Sequence, residues 1–410
     1  MMTAKSSPWP KRSTWTKTRP EPVNLAGPAV TEMSDHNAPS PGRITLSVDA
    51  MGGDSGAATV VAGLARYAAD DPSVFFLLHG PEDVLAPLVS RQRGLSGRVE
   101  IVHAQDVVTM EDKPSHVMRH GKGTSMWSTL QAVRENRATV AVSCGNTGAL
   151  MALSVLILRR LPGVIRPAIA VYWPSRNPQG FNVMLDVGAD VRADAQDLLQ
   201  YAMMGGSYAR NGLGLKRPRI GLLNVGTEEH KGRAELKEAH ELIGKYSKLA
   251  DFDFVGFVEG SDIPGTKTDV IVTDGFTGNV ALKTGEGTAR MVGDLLREAF
   301  RFSIWSRLAS LLALTSLKRL RKRIDPRRVN GGVFLGLNGT VVKSHGGADA
   351  TGVAAAVGLA VRLAQSGFSE KLAARVASSA ALTQDEERAN GVENNADTPA
   401  GKTEEGQAQS

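Results

Sequence analysis

Short, nearly continuous apolar runs punctuate the chain: ITLSVDA from 44, VFFLLHG from 74, VEIVHA from 99, ATVAVSCG from 138, AIAVYW from 168, FNVMLDVG from 181, RIGLLNVG from 219, FDFVGFVEG from 252 and DVIVTDG from 269. Their length and β-branched content predict strands buried on both faces. Most are followed by segments such as ATVVAGLARYAAD and AELKEAHELIGKY, where apolar residues return every three or four positions, the period of an amphipathic helix. Strand and helix in alternation predict an α/β protein whose mostly parallel sheet is covered on both sides.

The pattern fades at both ends. Residues 1–42 are rich in Pro, Ser, Thr and Lys, and 383–410 are acidic and polar; neither stretch has anything to bury, so both are predicted to be disordered. Residues 43–382 are left as the folded domain, and Met33 is a candidate start. A different pattern occupies about 296–324. In FRFSIWSRLASLLALTSLKRLRKR, Phe300, Ile304, Leu308, Leu311 and Leu312 form one helical stripe. Trp305 lies beside it, and the cluster Lys318, Arg319, Arg321, Lys322 and Arg323 follows. An apolar stripe with a basic end suits a helix lying on an anionic bilayer; a helical hairpin packed in a dimer core suits it equally well.

Composition narrows the function classes. Of 410 residues 42% are hydrophobic, and no apolar run approaches the roughly 20 residues of a spanning helix. A single cysteine, Cys144, makes no intrachain disulfide, and the chain opens with no signal-peptide succession, so the expected location is cytoplasmic. The formal net charge of +6 suits an acidic protein, anionic lipid or nucleic acid. Nucleic acid is disfavoured, because the basic residues sit beside Leu and Phe on the amphipathic stretch and no binding motif accompanies them.

Several predicted strands end in similar glycine-containing loops, namely DAMGGD at 49–54, SCGNTG at 143–148, LDVGAD at 185–190, LNVGTEEHKG at 223–232, TDGFTGN at 273–279 and KSHGGAD at 343–349. In an open parallel sheet such carboxyl-end loops share one rim, where these folds bind ligands. Their glycines free backbone N–H groups to face an anion, and Thr147 and Thr277 are candidate caps for a following helix, which together suit phosphate. No nucleotide signature of the Walker or dinucleotide type is present. His230 and His240 flank glutamates without a metal-ligand spacing, so no metal is expected.

These six loops, with GLNGTVVKSHG, in this order and spacing from about Ile44 to Phe368, closely resemble the bacterial acyl-acyl-carrier-protein:phosphate acyltransferase family. The resemblance implies a three-layer α/β fold like that of isocitrate and isopropylmalate dehydrogenases, here with a protruding amphipathic helical hairpin. It also implies a homodimer, peripheral membrane association, and transfer of a fatty acyl group from acyl carrier protein to inorganic phosphate. The acyl phosphate then feeds glycerophospholipid synthesis through a glycerol-3-phosphate acyltransferase. The chain departs from the family at Cys144, usually alanine, at Gly121, usually basic, and at Asp190, usually asparagine.

Phosphate attack on a thioester needs an anion site and a stabiliser for the oxyanion, but no metal or organic cofactor. Lys231 is the first expected catalytic cation, followed by Lys283, Lys343 and His345. The expected phosphate or substrate contacts are Gly52, Gly53, Asp54, Asn146, Thr147, Gly148, Asp186, Gly226, Thr227, Glu228, Asp274, Gly278 and Asn279. The aspartates, with Asp49, read as braces for lysines or caps for turns, as do Glu228 and Glu229. Arg119 and Lys122 are candidates for steering the acidic carrier protein. Cys144, beside the apolar run ATVAVSC and without a histidine partner in sequence, reads as a structural thiol. A coenzyme A-dependent phosphate acetyl- or butyryltransferase and a non-catalytic membrane scaffold are the competing readings.

Overall fold

A computed structural model of the chain describes residues 43–306, 313–316 and 331–378. Both predicted tails, Met33, the stripe residues Leu308, Leu311 and Leu312 and the basic cluster 318–323 lie outside the described residues.

The strands are β1 (Thr45–Asp49), β2 (Phe75–Gly80), β3 (Val99–His103), β4 (Val140–Ser143), β5 (Ala168–Pro174), β6 (Phe181–Leu185), β7 (Arg219–Leu223), β8 (Asp253–Val258), β9 (Val270–Val272), β10 (Gly332–Leu335) and β11 (Thr340–Lys343). The helices used below are α1 (Gly56–Asp70), α2 (Glu82–Ser90), α3 (Pro114–His120), α4 (Ser125–Arg134), α5 (Thr147–Ile157), α6 (Ala195–Leu213), α7 (Ala234–Tyr246), α8 (Gly275–Arg301) and α9 (Ala350–Gln365). All nine predicted runs are strands. The hairpin β10–β11 adds two that the apolar runs did not announce.

One sheet results, ordered β3-β2-β1-β4-β11-β10-β5-β6-β9-β7-β8. Alternate strand residues supply two cores. Leu46, Val48, Val142, Leu185 and Val272 pack with Leu64 of α1, Tyr201 of α6 and Val357 of α9. On the other face, Ala141, Met184, Ile271 and Phe334 pack with Leu130 of α4 and Leu150 and Leu153 of α5. This is the expected three-layer, mostly parallel architecture.

Strand direction departs from expectation. Strands β3, β2, β1, β4 and β11 are mutually parallel, as are β6, β9, β7 and β8. Between the two blocks lie three antiparallel pairings, β11 with β10, β10 with β5 and β5 with β6. Three reversals leave the second block running opposite to the first. Their cause is local: β10 returns through GLNG, with Gly336 at φ +86° and Gly339 at φ +147°, and β5 returns through a turn closed by Ser175 N–H on Gly180 O at 2.9 Å. The loops after β1, β4 and β11 therefore leave one edge of the sheet, and those after β6, β7 and β9 leave the other. The expectation of a single shared rim is corrected accordingly.

Helix α8 connects the two edges. It begins beside the β6 loop and crosses the sheet face at Gly285, where a Cβ would stand 2.5 Å from Trp173 of β5. Its buried residues are Gly275 and Gly278, while Phe276, Val280, Met291 and Leu295 are exposed, as are Phe302, Ile304 and Trp305 beyond it.

Candidate active site

At the first edge, neighbouring strands align Asp49 of β1 with Ser143 of β4, and Ser143 with Lys343 of β11. Asp49 is 2% exposed. Its carboxylate accepts from Ser125 Oγ and Ser143 Oγ, each at 2.7 Å, and from Met51 N–H at 3.2 Å. Burial raises the Asp49 carboxyl above the ordinary range against these hydrogen bonds, and among described residues no cation lies in ion-pair contact with it.

Lys343 is 9% exposed. Its ammonium donates to Cys144 O at 3.3 Å and to Ser344 O. Desolvation lowers its pKa to about 8, with Cys144, Asp49 and Asp54 pulling it upward and Lys283 pushing it down. Glycines close the rim around it. A Cβ at Gly52 would meet Gly145 N at 2.6 Å, and one at Gly53, φ +97°, would meet Gly346 O at 2.9 Å. The DAMGGD and KSHGG loops are joined by Asp54 N–H on Gly346 O at 2.9 Å. Only residues without side chains allow three loops to approach this closely.

Asn146 caps α5, accepting from Ala149 N–H at 3.1 Å, and donates to Met110 O and Asp112 O at 2.8 and 3.0 Å. Thr147 opens α5, and Gly148 packs against Pro114. Asn146 is thus spent on architecture. Helix α8 brings Lys283 to this edge, paired with Glu286 at 2.9 Å; Glu286 also lies 4.0 Å from His345 Nε2. Burial lowers the His345 pKa below its ordinary value, and Nδ1 accepts from Gly347 N–H at 3.1 Å.

Lys343, Lys283, His345, Gly52, Gly53, Asp54, Asn146, Thr147 and Gly148 therefore belong to the first edge. The remaining predicted residues stand at the second. Asp186 is fully buried and accepts from the N–H groups of Ile169, Gly188, Ala189 and Asp190 at 2.8 to 3.2 Å. Burial raises its carboxyl to about 6 against these donors. Asp274 caps α8 through Thr277 N–H at 2.8 Å and is paired with Arg233. Gly275 N–H donates to Asp190 at 3.0 Å, and Asn279 donates to Val187 O at 3.1 Å. The start of α8 is thus occupied by carboxylates of its own chain, and Gly278 serves close packing there. Lys231 is 44% exposed and paired with Glu228 at 2.7 Å, which raises its pKa. A Cβ at Gly226 would meet the Lys231 side chain at 2.5 Å, and Thr227 is exposed nearby.

Sequence reasoning missed Ser125 and Ser143, which hold Asp49, and Arg233, which holds Asp274. Ser143 sits inside the quoted SCGNTG loop and Ser125 inside KGTSM; hydroxyls carry little signal until their acceptor is known. Cys144 is 4% exposed, and burial raises its thiol. Among the described residues no group of His, Cys, Asp and Glu could hold a metal ion, and no helix is long and apolar enough to cross a membrane.

A family model described as fatty acid synthesis protein matches residues 44–371. A phosphate acyltransferase of Ruegeria pomeroyi is 70% identical, covering 89% of this chain and 98% of its own length. Another, from Paracoccus denitrificans, is 71% identical over 82% of this chain and 91% of its own. The chain belongs to the phosphate acyltransferase family. Solved structures carry the same fold outside that family. The EutD phosphotransacetylase of Staphylococcus aureus is 16% identical, with a TM-score of 0.51 over 78% of this chain and 94% of its own. A phosphotransacetylase of Streptococcus pyogenes, also 16% identical, gives 0.53 over 79% and 94%.

Proposed function

We propose that the protein transfers a fatty acyl group from an acyl-carrier-protein thioester to inorganic phosphate, at the edge built by the loops after β1, β4 and β11. Support comes chiefly from Lys343, a buried ammonium bound by two carbonyls and by no carboxylate among the described residues, in a chain whose relatives are named phosphate acyltransferases. A phosphate oxygen attacks the thioester carbon, the carbon–sulfur bond breaks, and the proton of hydrogen phosphate passes to the departing thiolate. Products are acyl phosphate and the carrier thiol. The Lys343 ammonium neutralises the phosphate in a poorly solvated site, and Lys283, with His345, lines the approach. Such preorganised charge lowers the barrier without a covalent enzyme intermediate. Lys231 at the other edge is assigned to steering of anionic reactants.

The acidic carrier protein is the expected donor, with Arg119 and Lys122 beside the same edge as its contacts. The exposed apolar side of α8 suits a second copy of the chain and an anionic membrane surface. Acyl phosphate release would serve a downstream glycerol-3-phosphate acyltransferase. Purified protein supplied with phosphate should release thiol and form hydroxylamine-trappable acyl phosphate from long-chain acyl carrier protein. Faster turnover of acetyl- or butyryl-coenzyme A would favour the phosphotransacetylase reading, and no phosphate-dependent release from either donor would leave only the scaffold.

A further inference from the structure

We propose that Asp49 is a positioning residue for this reaction: its buried carboxylate is the counter-charge that keeps the Lys343 ammonium protonated and facing the rim. The inference rests on the reading of Lys343 as the phosphate-holding cation.

Three adjacent parallel strands carry the argument. Asp49, Ser143 and Lys343 stand side by side in register on β1, β4 and β11. Strand spacing puts Asp49 and Lys343 about 10 Å apart at the backbone, with Ser143 between them. Ser143 turns its hydroxyl to Asp49 at 2.7 Å and accepts Gly145 N–H at 3.0 Å, so the row is locked from one side. Lys343 turns toward Cys144 O, on the loop that continues from Ser143. Neither charge has an ion-pair partner in contact among the described residues, yet both are buried. An isolated carboxylate and an isolated ammonium each pay heavily for burial, whereas two held across one intervening strand in a poorly solvated setting offset part of that cost.

Other charged groups face Lys343 as well. The Cys144 sulfur, when ionised, and Asp54 from the DAMGGD loop favour the ammonium, though burial opposes ionisation of that thiol; Lys283 from α8 opposes the ammonium, and His345 borders it, with Glu286 beside His345. Asp54 and Lys283 are on the accessible side and respond to substrate and salt. Asp49 alone among these carboxylates is sealed beneath the rim, where Gly52 and Gly145 cover it; Cβ positions there lie 2.7 and 3.6 Å from its Oδ2. Its influence is therefore fixed in place.

The test compares phosphate-dependent thiol release from pH 6 to 9.5 in wild type, Asp49→Asn, Asp49→Ser and Lys343→Arg; phosphate's own ionisation is common to all and cancels. Wild type should lose kcat/KM for phosphate through one proton loss near pH 8. In Asp49→Asn that loss should begin about one pH unit lower, as expected for one charge removed at about 10 Å. The variant should match wild type near pH 6, fall about threefold at pH 7.5 and about eightfold at pH 8.5. Lys343→Arg should show no alkaline loss below pH 9.5. A folded Asp49→Asn protein with a uniform loss and an unmoved limb overturns the proposal. If circular dichroism shows that this variant does not fold, Asp49→Ser carries the test. That variant removes the charge while leaving a hydroxyl beside Ser143, and its limb must also move down; an unmoved limb there is equally fatal. Wild type without any phosphate dependence would instead sink the functional reading itself.

Discussion

A Cβ at Gly278 would stand 1.9 Å from the carbonyl oxygen of Asp186. This approach sets the start of α8 against the β6 loop, and no side-chain rotation can relieve it because the opposing atom is backbone. Gly278→Ala should cost at least about 3 kcal/mol, the upper range for overpacking. Gly287→Ala on the same helix meets nothing within 4 Å and should instead stabilise by about 0.5–1 kcal/mol through helix propensity. Urea unfolding of the two variants measures both, and equal effects would remove the packing role assigned to Gly278.

His79 of β2 is fully buried between Ser47 and Ser128, at 2.8 Å from each hydroxyl. Because the Ser47 hydroxyl donates to Thr129 O, it accepts from Nε2–H, and Nδ1 is the acceptor for Ser128. Burial lowers the pKa of this neutral ring to about 3. The fold therefore refuses a proton that the unfolded chain takes up near 6.5. Its contribution is complete above that pH and is lost as pH falls toward 3. Stability should drop by about 2 kcal/mol between pH 7 and pH 5 from this residue alone. His79→Gln should show that much less decline in chemical denaturation, and an unchanged decline would place the acid sensitivity elsewhere.

The strands and both covering layers were legible because a strand buried on both faces must be apolar throughout. Direction was not. VFFLLHG and FNVMLDVG read alike, yet β2 and β6 run oppositely, since a doubly buried strand carries the same residues either way. The hairpin β10–β11 that begins the reversals is hidden in GVFLGLNGTVVK, too short for periodicity to declare. Glycine was equally ambiguous. Gly53 and Gly278 occupy sequence stretches of similar make-up, but one closes the Lys343 rim and the other, inside α8, admits a neighbouring carbonyl. The sequence displays a missing side chain without displaying what fills its place. Lys343 ranked behind Lys231 for a related reason: burial, which separates them, depends on strand neighbours far away in the chain.

Cys144 offers its carbonyl, not its sulfur, to Lys343, and its thiol is held up by burial in the core. Cys144→Ala should keep phosphate-dependent turnover within about twofold and cost about 1 kcal/mol of stability for the small space left behind. Thiol reagents should label the native protein slowly and the urea-unfolded protein at once. A folded Cys144→Ala protein with no turnover would mean that sulfur takes part, and direct attack by phosphate would have to be abandoned.

Lys231 and Lys343 separate the two edges experimentally. Lys343 lies among buried glycine turns, where removing a charge leaves the reacting anion facing bare carbonyls; Lys343→Met, which preserves the packing stem, should lose at least about 100-fold in kcat, as for loss of a preorganised electrostatic donor. Lys231 is exposed, already paired with Glu228, and projects from the opposite edge of the sheet. Exposed charges act through long-range attraction that salt screens. Lys231→Ala should therefore lose less than about fivefold, mostly in kcat/KM, and the difference from wild type should shrink at about 0.5 M salt. A loss in kcat matching that of Lys343→Met, insensitive to salt, would show that the reacting groups draw on both edges, and a site confined to the β1, β4 and β11 loops would be untenable.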